Sequence, residues 1–456
     1  MHVGNARTAL FNWLFARKQD GTFILRIEDT DQQRHIEASL KVITDGLQWL
    51  GLDWDEGPEV EGDYGPYFQS QRTEHYFTHA QCLITEGKAY PCTCEIAPQT
   101  EAPAPCECRN QPRDESFALE SGMAVRIIND KRREHFDDIV QGSLSFDTEQ
   151  FGDFILVKSD GTPTYNFANV VDDHMMGVTH VIRGDDHVSN TPRQLMLYRA
   201  FEYEPPSFAH LPQILGPDGA RLSKRHGAAA LTDYREMGFL PEALVNYLAL
   251  LGWAPEGEQE FLPLDELVKQ FELENVRKSA GRFDFDKLIH LNSMYMQQLP
   301  VSERADLAKR ALVRGGVITE NEAANPKTQE QITAVTEALG NRFRYGEQFF
   351  EFGGHFFKTH IEIPDELKDH FESEDVRSAL YEAAKRFEQL SKWNESNIEQ
   401  VIRSSAKDQG LKAAPVIHAI RVALSGDTVG PSLFQLVLLV GQERTVQRIK
   451  RALNRD

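Results

Sequence analysis

The chain has 456 residues, 41% hydrophobic and 26% charged, an ordinary composition for a folded protein of roughly three or four domains. No apolar run reaches the length of a membrane span. Arg7 and Asn12 interrupt the apolar N-terminal stretch, so an export signal is not expected and a cytoplasmic setting with reduced thiols is. The net charge of −21, taken as a sum, argues against a nucleic-acid partner, but residues 401–456 carry nine Lys or Arg against four Asp or Glu.

In chain order, His2, Gly4 and Asn5 form a small polar turn that opens an amphipathic helix, with Ala9, Leu10, Trp13 and Leu14 at helical spacing. A helix N-terminus offers unpaired N–H groups and partial positive charge, which suit a polyphosphate. Gly4 lets a flat ring lie against the backbone, and His2 can donate to a phosphate oxygen. The alternative is a surface helix with a chance histidine. Residues 21–27 then read as a short buried strand. It ends in the carboxylates Glu28, Asp29 and Asp31, at the sheet edge where open α/β folds bind ligands, although an acidic helix cap fits as well. Residues 35–50 form a helix with Leu40, Ile43, Leu47 and Leu50 on one side.

The Gly/Pro/Tyr-rich stretch 62–69 reads as a boundary, and a helix follows near 71–87, with Cys82 in its core face. Cys92, Cys94, Cys106 and Cys108 come next, two Cys-x-Cys pairs separated by eleven residues. Four converging thiolates make a closed zinc site that would tie down a polar, Pro-rich loop; reduced structural thiols or a redox pair are the alternatives. Residues 120–165 alternate apolar and polar, as a small mixed sheet would. A helix begins near 163, with Tyr165 and Asn169 on one face. A strand over 179–182 ends in Arg183, Asp185 and Asp186, and the strand–helix–strand order with a long insertion predicts a parallel doubly wound sheet. In the Gly-bounded loop 217–227, Arg221, Lys224 and Arg225 form a cation cluster able to close over a triphosphate, unless it is simply a solvated basic loop. Residues 241–253 are helical, and from about 301 the pattern is almost wholly helical.

The His2–Val3–Gly4–Asn5 turn and the Arg221–Leu222–Ser223–Lys224–Arg225 loop are far more specific together than apart. On these motifs the chain closely resembles the glutamyl-tRNA synthetases, a family of class I aminoacyl-tRNA synthetases. The resemblance continues through 23–31, 163–173, 181–193, 210–227, 246–255, 283–292 and 421–434, nearly the whole chain. It implies ATP-dependent ligation of L-glutamate to the 3′ end of tRNA-Glu through a glutamyl-adenylate, with Mg2+ accompanying ATP and a structural Zn2+ on the four cysteines. By motif match, His2 and Lys224 would be catalytic. His2, Gly4, Asn5, Ser223, Lys224 and Arg225 would bind ATP. Glu28, Tyr165, Asn169 and Arg183 would bind glutamate, and Asp31 and Arg34 would meet the tRNA acceptor end.

The implied architecture is an α/β Rossmann-type doubly wound parallel sheet (1–66 and 164–205) interrupted by an α+β acceptor-end domain with the zinc knuckle (67–163). A connecting α/β subdomain with the Lys224 loop (206–300) and an all-α anticodon-binding domain (301–456) follow. A monomer is expected. Glutaminyl or non-discriminating synthetases, the short paralogue that glutamylates a tRNA base, and a non-catalytic tRNA-binding protein are the rivals. The chain departs from the family at its start, where a strand and turn precede the His2 signature, so the protein is expected to begin upstream of Met1. It also has His290 where the family has Trp, and its cysteine spacing is short.

Overall fold

The computed structural model describes residues 1–30, 36–94, 106–111, 122–223, 225, 227–257, 259–430 and 432–454. These form two compact units, residues 1–233 with 244–285, and residues 234–243 with 286–456.

The first unit begins with α1 (Val3–Lys18). Its N-cap is His2, in extended conformation, whose Nδ1 accepts the Gly4 N–H at 3.1 Å and so satisfies one of the unpaired donors of the first turn. Val3, Ala6, Arg7, Leu10, Phe11, Trp13 and Leu14 are all buried, which is more than one stripe of the helix. α1 is therefore a core helix, and Phe11 meets Phe271 edge-on at 5.1 Å. Helix α2 (Ile36–Trp49) follows, with Leu47 buried.

The strand expected over 21–27 is not a strand. Leu25 N donates to Glu56 O and Ile27 N to Tyr67 O, giving single parallel bridges Ile24–Glu56 and Ile27–Phe68. No described strand flanks the other side, and Ile24, Leu25 and Ile27 are only half-buried. The two bridges stand alone, on two different segments, and without a consecutive pair no ladder forms.

Beyond α3 (Thr73–Thr85), strands β1 (Ala89–Cys92), β2 (Ala124–Ile127), β3 (Arg133–Asp138), β4 (Gly142–Asp147) and β5 (Ile155–Val157) precede helix α4 (Tyr165–Met175). Strand β6 (His180–Gly184), helix α5 (Thr191–Phe201), and strands β7 (Ser207–Leu211), β8 (Ile214–Leu215) and β9 (Gly281–Arg282) complete the framework of this unit. The result is α/β with mixed sheets. One sheet runs β4-β3-β7-β6, another is β1-β2-β5, and β8 pairs with β9. β6 and β7 are parallel over five residue pairs, with α5 as the crossover, while β3 and β4 form an antiparallel hairpin docked on β7. The mixed sheet expected over 120–165 is thus shared between two sheets. Tyr76, Leu83, Val125, Leu156, Phe167, Leu197 and Phe208 form the core beneath. Cys82, expected in that core, is exposed at the surface of α3, its thiol 3.2 Å from Glu86 Oε1.

The second unit is helical, as the patterning predicts. Helices Val301–Arg314, Pro326–Leu339, Glu374–Glu388, Glu395–Asp408, Ala413–Ser425 and Gln442–Leu453 enclose Phe349, Phe356, Leu380, Phe387, Ile402, Ile420 and Ile449. Gly426 ends one of them at φ +72°, and a Cβ there would stand 2.8 Å from Glu362 O, so two constraints select glycine. The basic segment 401–456 is partly internal. Arg448 is buried and donates to the Leu424, His355 and Lys358 carbonyls, and its pKa falls to about 10 because burial removes water from the guanidinium. Arg444 bonds to Phe356 O, Arg403 pairs with Glu399 and Lys450 with Glu388.

Burial, reinforced by the charge of Arg448, lowers the His355 pKa to about 4. The unfolded chain takes up this proton near pH 6.5 and the folded chain does not, so stability is complete above that pH and declines as the pH falls toward 4. Unfolding in urea at pH 7 and pH 5 should show a loss of about 2 kcal/mol from this histidine alone. His355→Gln should flatten that part of the profile.

Candidate active site

Three groups of predicted residues meet around the ends of α1 and β6. In the first, the backbone ties the start of α1 to the segment after the basic loop. Val3 N donates to Ala229 O, Leu231 N to Met1 O, and His2 bridges Ala230. Two signatures more than 200 residues apart in sequence thereby become neighbours. Burial and the nearby charge of Arg221 lower the His2 pKa, so the imidazole is neutral at pH 7. A neutral ring that accepts at Nδ1 carries its proton on Nε2 and presents a donor there. Gly4 has room for a Cβ, whose nearest neighbour would be His2 Nδ1 at 3.5 Å, and Asn5 is exposed. Arg221 reaches Asp186 at 3.8 Å, and Arg225 reaches Asp218 at 3.3 Å; both are at the surface, and Ser223 is half-buried. Lys224, Asp31 and Arg34 lie outside the described residues.

A second group centres on Glu28. Its carboxyl is raised above the usual range by burial, opposed by Arg26 at 3.8 Å and by a hydrogen bond to Asn169. Its side chain nevertheless remains 43% exposed, so the carboxylate stands at a mouth with protein around it. Behind it, Arg26 bonds to Asp173 at 2.7 Å, and buried Asn169 accepts from Gln69 at 3.2 Å. Fully buried Asp172 accepts from Arg72 at 2.6 Å, Tyr76 at 2.7 Å and Gln69 at 2.9 Å.

The third group is Arg183 and Tyr165. Arg183 leaves the end of β6, donates from Nε to His210 and from Nη2 to Thr191 and Gln194, and shares a hydrogen bond with Tyr165. Among the described residues no carboxylate hydrogen-bonds to it, and burial lowers its pKa. The Tyr165 hydroxyl stands 3.1 Å from His187 Nδ1, and its pKa, raised by burial, responds to both Arg183 and Glu28. Glu28, Asn169, Tyr165 and Arg183 thus share one electrostatic neighbourhood.

Sequence reasoning missed the residues that hold these groups. Arg7 is buried, with its guanidinium on the Pro212 and Leu251 carbonyls, and Asn12 donates to Ile182 O at 2.9 Å. Arg26 could have been found, since it lies two residues before Glu28 on an extended run and therefore on the same face.

The four cysteines converge separately. Their sulfurs lie within 4.8 Å of one another, with closest approaches of 3.1, 3.4 and 3.6 Å. A hydrogen bond from the Thr93 backbone draws the Cys108 thiol down to about 7.

A sequence family described as "tRNA synthetases class I (E and Q), catalytic domain" matches residues 1–290, and an anticodon binding domain family matches residues 303–453. The chain belongs to these class I tRNA synthetases. Among relatives, the glutamate–tRNA ligase of Moorella thermoacetica is 41% identical over 99% of this chain and 95% of its own length. The glutamate–tRNA ligase of an Anaeromyxobacter species is 41% identical over 99% of this chain and 96% of its own. The crystal structure of a glutamate tRNA ligase from Elizabethkingia meningosepticum in complex with its amino acid superposes with a TM-score of 0.82, at 30% identity, covering 99% of this chain and 96% of that one.

Proposed function

We propose that this protein is a glutamate–tRNA ligase that joins L-glutamate to the 3′ end of tRNA-Glu through a glutamyl-adenylate. The observation that carries the reading is Arg183, a largely buried guanidinium to which no carboxylate hydrogen-bonds among the described residues, beside Tyr165, Asn169 and Glu28. A planar cation held in this way suits a substrate carboxylate. Glutamine would leave the charge uncompensated, which favours glutamate over the glutaminyl alternative.

In the first step the α-carboxylate of glutamate attacks the α-phosphorus of ATP and pyrophosphate leaves. Positioning and electrostatics supply most of such catalysis. His2 donates through Nε2 to the phosphate, Gly4 leaves room for adenine, and Asn5, Ser223, Lys224 and Arg225 complete the ATP site, with Lys224 following the leaving phosphates. Glu28 orients the substrate amine. Mg2+ supplies additional charge neutralisation on the phosphates. The terminal ribose hydroxyl of tRNA then attacks the glutamyl carbonyl, the acyl–phosphate bond breaks and AMP leaves, with Asp31 and Arg34 assigned to the acceptor end.

The helical unit reads the anticodon. A cleft of about 810 Å³ there is lined by Arg342, Lys358 and Arg421, balanced by Glu351, Glu362 and Asp427, and by the exposed Phe350 and Phe352, whose rings offer stacking surfaces for unstacked bases. No helix among the described residues is long and apolar enough to cross a membrane. A monomer in the cytoplasm fits the reading.

Full-length protein with ATP, Mg2+ and labelled glutamate should charge tRNA-Glu and leave tRNA-Gln uncharged. Absence of glutamate-dependent ATP–pyrophosphate exchange in the presence of tRNA would overturn the assignment, and charging of tRNA-Gln would move it to the non-discriminating class.

The thiol cluster fits Zn2+. Four ligands 2.3 Å from a tetrahedral ion place their sulfurs about 3.8 Å apart, close to the spacing present. Bound there, Zn2+ would cross-link the two cysteine pairs and the loop between them. Elemental analysis of the purified protein should find about one zinc per chain. Cys92→Ser with Cys108→Ser should abolish it and hasten proteolysis between residues 94 and 106, and metal-free protein with four fully titratable thiols would count against the site.

A further inference from the structure

Arg183 is held from behind. Its Nε–H points at His210 Nε2, 3.1 Å away, and its Nη2 donates to Thr191 Oγ1 at 2.8 Å and Gln194 Oε1 at 2.7 Å. Behind His210 stands Asp138, the last residue of β3, with Oδ2 2.6 Å from His210 Nδ1. Both side chains are completely buried. Asp138 Oδ1 also accepts the Val140, Gln141 and His210 backbone N–H groups, and against the cost of burial these bonds hold its carboxyl below the usual range.

An ionised carboxylate can only accept, so His210 must carry its proton on Nδ1 and leave Nε2 as an acceptor. That is the tautomer the Arg183 Nε–H requires. The opposite tautomer would set donor against donor. The Thr191 hydroxyl, which accepts from Arg183 Nη2, lies 3.1 Å from the same Nε2 and can only share that nitrogen's single lone pair with the Arg183 N–H. The Phe208 ring lies along both groups, 5.8 Å from the guanidinium carbon and stacked on His210.

We propose that the buried Asp138–His210 pair is a positioning device that fixes the plane of Arg183, and through it the discrimination between the acidic amino-acid substrate and its amide. The inference rests on the reading of Arg183 as the partner of the substrate side-chain carboxylate. Asp138 and His210 do not themselves touch substrate; they act through Arg183. β3, which supplies Asp138, is hydrogen-bonded to β7, which carries His210, so the sheet itself sets the pair.

The test is ATP–pyrophosphate exchange by the full chain with tRNA present, varying glutamate, glutamine and ATP separately. His210→Leu removes the acceptor and should raise the KM for glutamate about ten-fold or more, leave the KM for ATP within about two-fold, and narrow the preference over glutamine. His210→Gln places a carbonyl oxygen near the position of Nε2 and should recover most of the loss. Asp138→Asn frees the imidazole to take either tautomer and should fall between the two. Arg183→Leu is measured beside them. If it leaves the glutamate KM unmoved, the assignment of the carboxylate site fails, and this inference with it. If it raises the glutamate KM while His210→Leu does not, or while His210→Gln is no better than His210→Leu, the positioning role alone is overturned. Should His210→Leu not fold, an unchanged glutamate KM in Asp138→Asn overturns it equally.

Discussion

Arg183→Leu should raise the KM for glutamate by about 100-fold or more while the KM for ATP stays near its original value. Truncating one partner of a buried, hydrogen-bonded charge pair costs about 2–5 kcal/mol, and each 1.4 kcal/mol is a factor of ten. The size follows from what surrounds the residue. Its guanidinium is largely desolvated, bonded to neutral acceptors and offset by no hydrogen-bonded carboxylate among the described residues. Asp173 lends it some charge compensation without a hydrogen bond, and a substrate carboxylate would be the first bonded to it. Glutamine should lose far less from the substitution, because its amide never satisfied that charge. Steady-state exchange with each amino acid reads both numbers, and equal losses for the two would mean that Arg183 meets some other part of the substrate.

Asp172→Asn should destabilise the first unit by about 3–5 kcal/mol, the range seen when one member of a buried ion pair is removed. Asp172 is wholly buried, and Arg72, 2% exposed, lies 2.6 Å away; among the described residues its further oxygen partners are the Tyr64 and Pro66 carbonyls. Neutralising the carboxylate strands that guanidinium and weakens the bonds from Tyr76 and Gln69. Urea unfolding followed by tryptophan fluorescence gives the loss. The double variant Asp172→Leu with Arg72→Leu should lose less than the two single changes added together, because neither leaves the other uncompensated. Additive losses would show that the pair does not act as a unit.

What could be read from the sequence was local. The His2 turn caps a helix because its side chain needs only the N–H two residues on. Tyr165 and Asn169 share a face because a helix repeats every 3.6 residues. The two thiol pairs were visible as spacing, and the helical second unit as periodicity. Partners across the chain were not visible. Asp138, Thr191, Gln194 and His210 converge on Arg183 from β3, α5 and β7, and no periodicity encodes which strand will lie beside which. The error at 21–27 has the same origin, since a β-rich run becomes a strand only when a neighbour completes its ladder. Cys82 shows the limit of apolar patterning, because a short apolar helix does not specify which side meets solvent. Similarly, Arg448 counts among the nine cations of 401–456, and nothing in that count places it in the core.

That internal arginine bears on how the protein would respond to salt. The slope of log affinity against log salt concentration counts the phosphate charges a protein neutralises, and hence the counterions released on binding RNA. A guanidinium already fastened to three backbone carbonyls has no phosphate to meet, so Arg448 contributes nothing to that count. Arg403 and Lys450, paired with Glu399 and Glu388, would exchange one anion for another and add little. The nine cations of the C-terminal segment therefore overstate its electrostatic grip. On a chain of net charge −21, binding through so few free cations would be less salt-sensitive than the residue count suggests, and would lean on shape and stacking instead.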